Sequence, residues 1–261
     1  MVYKFQLSFN IFNEKGSFIF FLRIFYFILF FLKVKAYLDI VEDFIVDTPD
    51  DFLTALTTLN GTSTIYVNGD LEGFKREYKV KPPYNNGSLK IIGINKKTSV
   101  LGFIAGTVGI TFEDLDSVEI ENLTFKGRLN FKNLKEVKIN NIDHIGLLDT
   151  TGTQEGGYVS IKNYNFTSYD GKVRSNSVIF NAGGSTIIED SIFTAGIGCT
   201  DSIIKYNGIS GNANDFTVKN STFDSKHFAN AMIIEESDFT LESSHFYNGY
   251  NSIHGYIKIY F

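Results

Sequence analysis

At 261 residues the chain is long enough for one large domain. Its 29 acidic residues outnumber 24 basic ones for a net charge of −5, which argues against a nucleic-acid partner. The one cysteine, Cys199, excludes an intramolecular disulfide, so stability has to come from packing, and a small buried thiol is the expected state.

Residues 18–32 are apolar apart from Arg23, and Val34-Lys35-Ala36 follows with small or β-branched residues where a signal peptidase reads. The expectation is a signal peptide over 1–36. The alternative is a retained anchor, through which residues 18–32 would give the only membrane contact; the apolar run is short for a span. Cleavage would remove five basic residues and Glu14, leaving a net charge of −9. That disfavours anionic polymers unless cations mediate. Secretion would place the protein outside the cell or on its surface.

Thr48-Pro49-Asp50-Asp51 predicts a helix start: Thr48 can cap, Pro49 suits the first position and Asp51 closes a capping box. Phe52, Leu53, Leu56 and Leu59 form one apolar stripe, ended by Asn60-Gly61. Residues 37–63 are thus predicted to form an N-terminal cap with a helix lidding a solenoid over 64–261. The first strand is expected at 64–67 and the next coil at 89–94. All three prolines (Pro49, Pro82, Pro83) lie before the regular repeats, as ladder-forming strands require.

From Val118 one pattern recurs six times. It reads Val118-x-Ile120-x-Asn122-x-x-Phe125, Val137-x-Ile139-x-Asn141-x-x-His144 and Val159-x-Ile161-x-Asn163-x-x-Phe166. Thr186-x-Ile188-x-Asp190-x-x-Phe193, Phe216-x-Val218-x-Asn220-x-x-Phe223 and Phe239-x-Leu241-x-Ser243-x-x-Phe246 complete it. Alternation puts the apolar residues and the Asn on one face of a strand and mostly polar residues on the other. Asn tolerates the left-handed backbone of a sharp corner, and stacked Asn side chains can hydrogen-bond in a column. The aromatic residue then opens a second strand. Irregular steps of 19 to 30 residues mean stacked coils with variable insertions. Lys162, Glu189, Lys219 and Glu242 alternate in sign from coil to coil, which favours side-by-side stacking.

These residues resemble the right-handed parallel β-helix of the pectate-lyase superfamily. Ile188-Glu189-Asp190-Ser191-Ile192-Phe193 and Val218-Lys219-Asn220-Ser221-Thr222-Phe223 are similar to coils of polymorphic-membrane-protein and adhesin-like β-helices. The Gly183-Gly184 pair resembles their Gly-Gly turns. The resemblance implies an all-β, right-handed parallel β-helix. A leucine-rich repeat is the alternative fold, but Leu is scarce and the spacing irregular.

The resemblance also implies that the strand before each repeated one forms the ligand-binding face. Those strands are expected near 129–131, 147–149, 177–180, 202–206, 231–235 and 256–259. Outward positions there hold Asn130, Lys205, Glu235 and Lys258, with Asp149 and Arg174 beside them; Asp149, Arg174, Lys205 and Glu235 are the candidate catalytic residues, with Lys205 and Glu235 as neighbours. An acid, a Lys and an Arg are what β-elimination on a uronate requires. Ile142-Asp143-His144 is superficially similar to a pectate-lyase segment, but its Trp is missing and His144 stands where other coils carry Phe, so a core His is expected. No cofactor or metal is expected from the motifs. Ca²⁺ is the one candidate, through Asp149, Glu155, Asp170 and Asp201 in or near long connections. Candidate ligand-binding residues are Tyr169, Asp170 and Lys172 in an insertion, and Tyr247 and Tyr250 near the end.

Sequons occur at Asn60, Asn86, Asn122, Asn165 and Asn220. An inward ladder rules out Asn122 and Asn220, leaving Asn60, Asn86 and Asn165 as expected glycosylation sites. The apolar run 256–261 reads as an uncapped edge strand, open to end-to-end self-association or to truncation of the chain. The functional expectation is a secreted or surface, non-catalytic, adhesin-like or wall-associated protein that binds a polysaccharide or cell-surface component through its loops. The alternatives are a lyase or hydrolase acting on an acidic polysaccharide such as pectin, and a structural stalk fragment.

Overall fold

The computed structural model describes residues 41–59, 61–81, 87–153, 156–171, 176–249 and 253–254. It is an all-β parallel solenoid in which every strand pairing is parallel. Each coil contributes strands to three faces. Sheet one stacks Val41–Val46, Thr62–Val67, Ser88–Gly93 and Ser117–Glu121, the first parts of Glu136–Thr151 and Gly157–Ser168, then Gly184–Glu189, Asp215–Lys219 and Asp238–Glu242. Sheet two runs from Asp70–Phe74 and Val100–Phe103 to Ile192–Thr194, Thr222–Asp224 and His245–Tyr247. Sheet three runs from Tyr78–Val80 and Gly109–Glu113 to Asn176–Ala182, Ser202–Gly208, Asn230–Glu235 and Ile253–His254.

The repeat appears as predicted in register. Val118, Val137, Val159, Thr186, Phe216 and Phe239 share one row, and Ile120, Ile139, Ile161, Ile188, Val218 and Leu241 another. All but the last are buried. Outside this row, Lys162 lies 3.8 Å from Glu189 and Lys219 lies 3.4 Å from Glu242, as the alternating charges require. The aromatic residues form a second column, Phe103–Phe125–His144–Phe166–Phe193–Phe223–Phe246, with ring centroids 5.1–5.8 Å apart. Ring stacking at this spacing comes with the ladder and adds to the area buried.

The corner residues Asn122, Asn141, Asn163, Asp190, Asn220 and Ser243 all have φ between 45° and 56°. The left-handed corner was legible, but its direction was not. One residue at positive φ breaks the period-two alternation, so the corner side chain leaves the buried face: Asn163, Asp190 and Asn220 are exposed. The expected inward ladder is therefore an outer one. In it Asn141 donates to Asn122 at 2.9 Å and Asn220 to Asp190 at 3.3 Å, while Asn163 turns to Asn140. The argument that excluded Asn122 and Asn220 as sequons falls with it. In the last three coils a serine follows the corner, and the hydroxyls of Ser191 and Ser221 each bond their own strand's carbonyl two residues back. The next coil's hydroxyl in turn accepts the backbone N–H of each of these serines, so the buried polar column is satisfied.

The ladder starts earlier than predicted. A strand at Val41–Val46, ahead of the helix, pairs residue for residue with Thr62–Val67. The helix Pro49–Thr58 is capped by Thr48, whose side chain accepts the Asp51 N–H and donates to its carboxylate. Phe52, Ala55 and Leu56 are buried, with Phe52 5.7 Å from the Phe74 ring. At the other end, Ile253–His254 is a strand beside Asn230–Glu235, and the expected 256–259 lies outside the described residues. Residues 1–40, the run 256–261 expected to form an uncapped edge, Asn60 and Asn86 lie outside the described residues. Among the described residues no helix is long and apolar enough to cross a membrane.

His144 is a core histidine, fully buried in the phenylalanine column. Nε2 lies 2.8 Å from the Gly127 carbonyl, which can only accept; Nε2 therefore carries the proton and Nδ1 accepts from the Tyr164 hydroxyl. Burial drives its pKa down to about 4, partly offset by the Gly127 bond. A base depressed in the fold costs stability in the window where the unfolded chain binds the proton and the folded one does not. Stability should therefore fall as pH drops from about 6.5 to about 4, by about 3 kcal/mol from this group, and this contribution flattens below. The double variant His144→Phe/Tyr164→Phe should lose that part of the slope. Urea unfolding at stepped pH checks it; an unchanged slope would refute the assignment.

Candidate functional site

Chemistry-bearing side chains collect on the outer face of sheet three. Thr124–Lys132 crosses from sheet two to sheet three without a loop, and its alternation is unbroken from Thr124 to Asn130. The crossing needs Gly127, at φ 143°, where a Cβ would come within 2.6 Å of the Val108 carbonyl. Lys79, Thr111, Asn130, Asp149, Ile179, Lys205 and Ile233 then lie in one row across the coils. Glu113, Lys132, Thr151, Asn181, Asn207 and Glu235 form the next row.

Three charged groups result. Lys79 and Lys132 flank Glu113, the latter at 3.4 Å; the hydrogen bond from Lys79 leads in holding this carboxyl below its ordinary range, against the opposing effect of burial. Arg128 Nε meets Asp149 Oδ2 at 2.8 Å, with the Asp149 side chain only 5% exposed and that of Arg128 33%. Lys205 Nζ lies 3.5 Å from Glu235 Oε2, both accessible at 30% and 54%. Amides fill the space between: Asn207 donates to Asn181 at 2.7 Å, and Asn130 to Thr111 at 3.2 Å.

The structure thus brings together two of the sequence candidates, Lys205 and Glu235, as predicted. Asp149 shares the row of Lys205, two strands away with Ile179 between, which is roughly 10 Å at the spacing of neighbouring strands. Arg174, Lys172 and Tyr250 lie outside the described residues. The ion-pair partner of Asp149, Arg128, was missed, although the alternation that turns Asn130 outward also turns Arg128 outward. Tyr169 and Asp170 sit where sheet two passes to sheet three, with Asp170 accepting the Ile197 N–H at 3.3 Å. Tyr247 is on sheet two, 53% exposed and away from them.

Among the described residues the acids proposed for Ca²⁺ do not form one group. Asp149 is engaged by Arg128, Asp170 by a backbone amide, and Glu155 lies outside the described residues. Among the described residues no three His, Cys, Asp or Glu side chains form a group that could hold a metal ion. Cys199 is buried, its thiol 3.0 Å from the Ser202 carbonyl.

No protein-family model matches the sequence, and no curated protein matches it. Among solved structures, the chain is similar to the crystal structure of alginate lyase from Paenibacillus sp. str. FPU-7, at 12% identity and a TM-score of 0.41 over 83% of this chain and 99% of that one. The fold assignment rests on the ladder described above, and the activity in that title belongs to that protein. The expectation of a non-catalytic, adhesin-like binder is corrected to this extent: the similar solved structure is titled as a lyase, and an enzyme on an acidic polysaccharide is therefore the reading proposed below.

The pairs differ in what they do for the fold. Removing the buried partner, Asp149→Ala, strands a partly buried guanidinium and should cost about 1–3 kcal/mol. The accessible Lys205–Glu235 pair should contribute about 0–1 kcal/mol, so Lys205→Ala and Glu235→Ala should leave the melting temperature nearly unchanged. Thermal unfolding of the three variants checks the contrast; equal losses would mean the exposed pair is structural.

Proposed function

We propose that the protein is a polysaccharide lyase acting on an acidic polysaccharide along the outer face of sheet three. The observation that carries this reading is the accessible Lys205–Glu235 pair at 3.5 Å, with the Arg128–Asp149 pair on the same face. In the proposed step the Glu235 carboxylate removes the proton on the carbon α to a uronate carboxylate. The electron pair becomes the C4=C5 double bond as the C4–O4 bond breaks, and the leaving oxygen takes a proton from solvent. Lys205 offsets the charge that grows on the uronate carboxylate, as a fixed cation next to a developing enolate does. Arg128, oriented by Asp149, meets a carboxylate further along the chain.

The coils are taken as right-handed, the helix Pro49–Thr58 as a lid on the N-terminal end, and the site of action as outside the cell.

Purified protein should release oligosaccharides with unsaturated ends from polyuronates, read by the ultraviolet absorbance of the new double bond. Lys205→Ala and Glu235→Gln should each lower kcat about 100-fold or more while the fold is kept. Absence of unsaturated product across pectate, alginate and other uronate polymers, with or without added Ca²⁺, would reject the reading, and so would full activity in both variants.

A further inference from the structure

Three sequons fall within the described residues, at Asn122, Asn165 and Asn220. All three lie on one edge of the solenoid. Asn122 and Asn220 are corner residues between sheet one and sheet two, and Asn165 follows its own corner on the outer face of sheet two. This is the edge that does not border sheet three, so a bulky group on it leaves Lys205 and Glu235 open.

The outward turn of the corner gives Asn122 and Asn220 different surroundings. Asn122 is half-buried, and both ends of its amide are engaged. Its Nδ2 donates to the Gly93 carbonyl at 2.7 Å, and its Oδ1 accepts from Asn141 at 2.9 Å. Asn220 is exposed, and among the described residues its side chain bonds only Asp190 Oδ1, from Nδ2 at 3.3 Å. The next coil places Ser243 at the same corner, the shortest side chain of the ladder. The Asn220 amide is therefore open on that side.

Ile192 is a second, independent observation. It is 49% exposed on the outer face of sheet two, with Asn165 and Thr222 as its register neighbours. Asn220 stands at the corner two residues before Thr222. The two exposed sequon asparagines thus flank an uncovered apolar side chain, and the carbon-bound hydrogens of a sugar ring would shield it from water.

We infer that Asn220 is an N-glycosylation site, with the expected site Asn165 beside it and Asn122 unmodified. The inference rests on secretion and not on the lyase reading. The Asn220 Nδ2 bonds to the anomeric carbon of a lipid-pyrophosphate-linked oligosaccharide in the secretory pathway. The bond from that carbon to the pyrophosphate oxygen breaks, the lipid pyrophosphate leaves with the electron pair, and Nδ2 gives up one of its two protons. The N–H that stays is enough to bond Asp190. Transfer meets the chain before folding, and the fold decides which glycan it can keep. One on Asn220 points into solvent, whereas one on Asn122 would have to displace Asn141.

The test expresses the full chain in a eukaryotic secretory host and maps its peptides after peptide N-glycosidase, which converts each glycosylated Asn to Asp. Conversion is expected at Asn220 and not at Asn122. Thr222→Ala removes the sequon and leaves the Asn220 amide in place, so the mass should fall by one glycan, and Thr222→Ser should restore it. Both variants keep the backbone bond from residue 222 to the Ser191 carbonyl. An unmodified Asn220 in the secreted protein, a mass unchanged by Thr222→Ala, or a chain that stays out of the secretory pathway overturns the inference. Conversion at Asn122 overturns its exclusion.

Discussion

Every coil in this chain depends on the parallel, in-register ladder between neighbours. A single coil buries almost nothing alone, because its apolar side chains point into a space closed only by the coils on either side. Once stacked, Ile120, Ile139, Ile161, Ile188 and Val218 are all 0–1% exposed, and the aromatic column runs beside them. The same register decides which charged residues meet. Lys162 reaches Glu189 and Lys205 reaches Glu235 because the backbone has already placed them within reach. Side-chain chemistry on the outer faces is a consequence of backbone spacing.

That dependence explains how much was legible beforehand. Period-two alternation with a recurring left-handed residue reveals strands, corners and stacking, and it reveals His144 as a core residue. Pairwise neighbours along a row, such as Lys205 and Glu235, follow from aligning the repeats. The direction of the corner side chains does not follow, because alternation stops where φ turns positive, and Asn163, Asp190 and Asn220 came out exposed. Val41–Val46 was missed because the helix that follows it hides its membership of the ladder.

The site was half legible for a related reason. Arg128 lies in the strand Thr124–Lys132, which carries both sheet two and sheet three with no loop between them. The strand expected at 129–131 began one residue after Arg128, so the outward position of that residue went unread. The buried Arg128–Asp149 pair and the exposed Lys205–Glu235 pair share one face but answer to different constraints, the first tied to the fold and the second free to meet a ligand.

The central claim is that sheet three's outer face, and not the equally charged face of sheet one, meets the substrate. A ¹H–¹⁵N titration with a short uronate oligosaccharide tests it most directly. The account predicts chemical-shift changes along Arg128, Asp149, Lys205 and Glu235, with Lys162, Glu189, Lys219 and Glu242 silent. Changes centred on the sheet-one row, or none at saturating oligosaccharide, would contradict it.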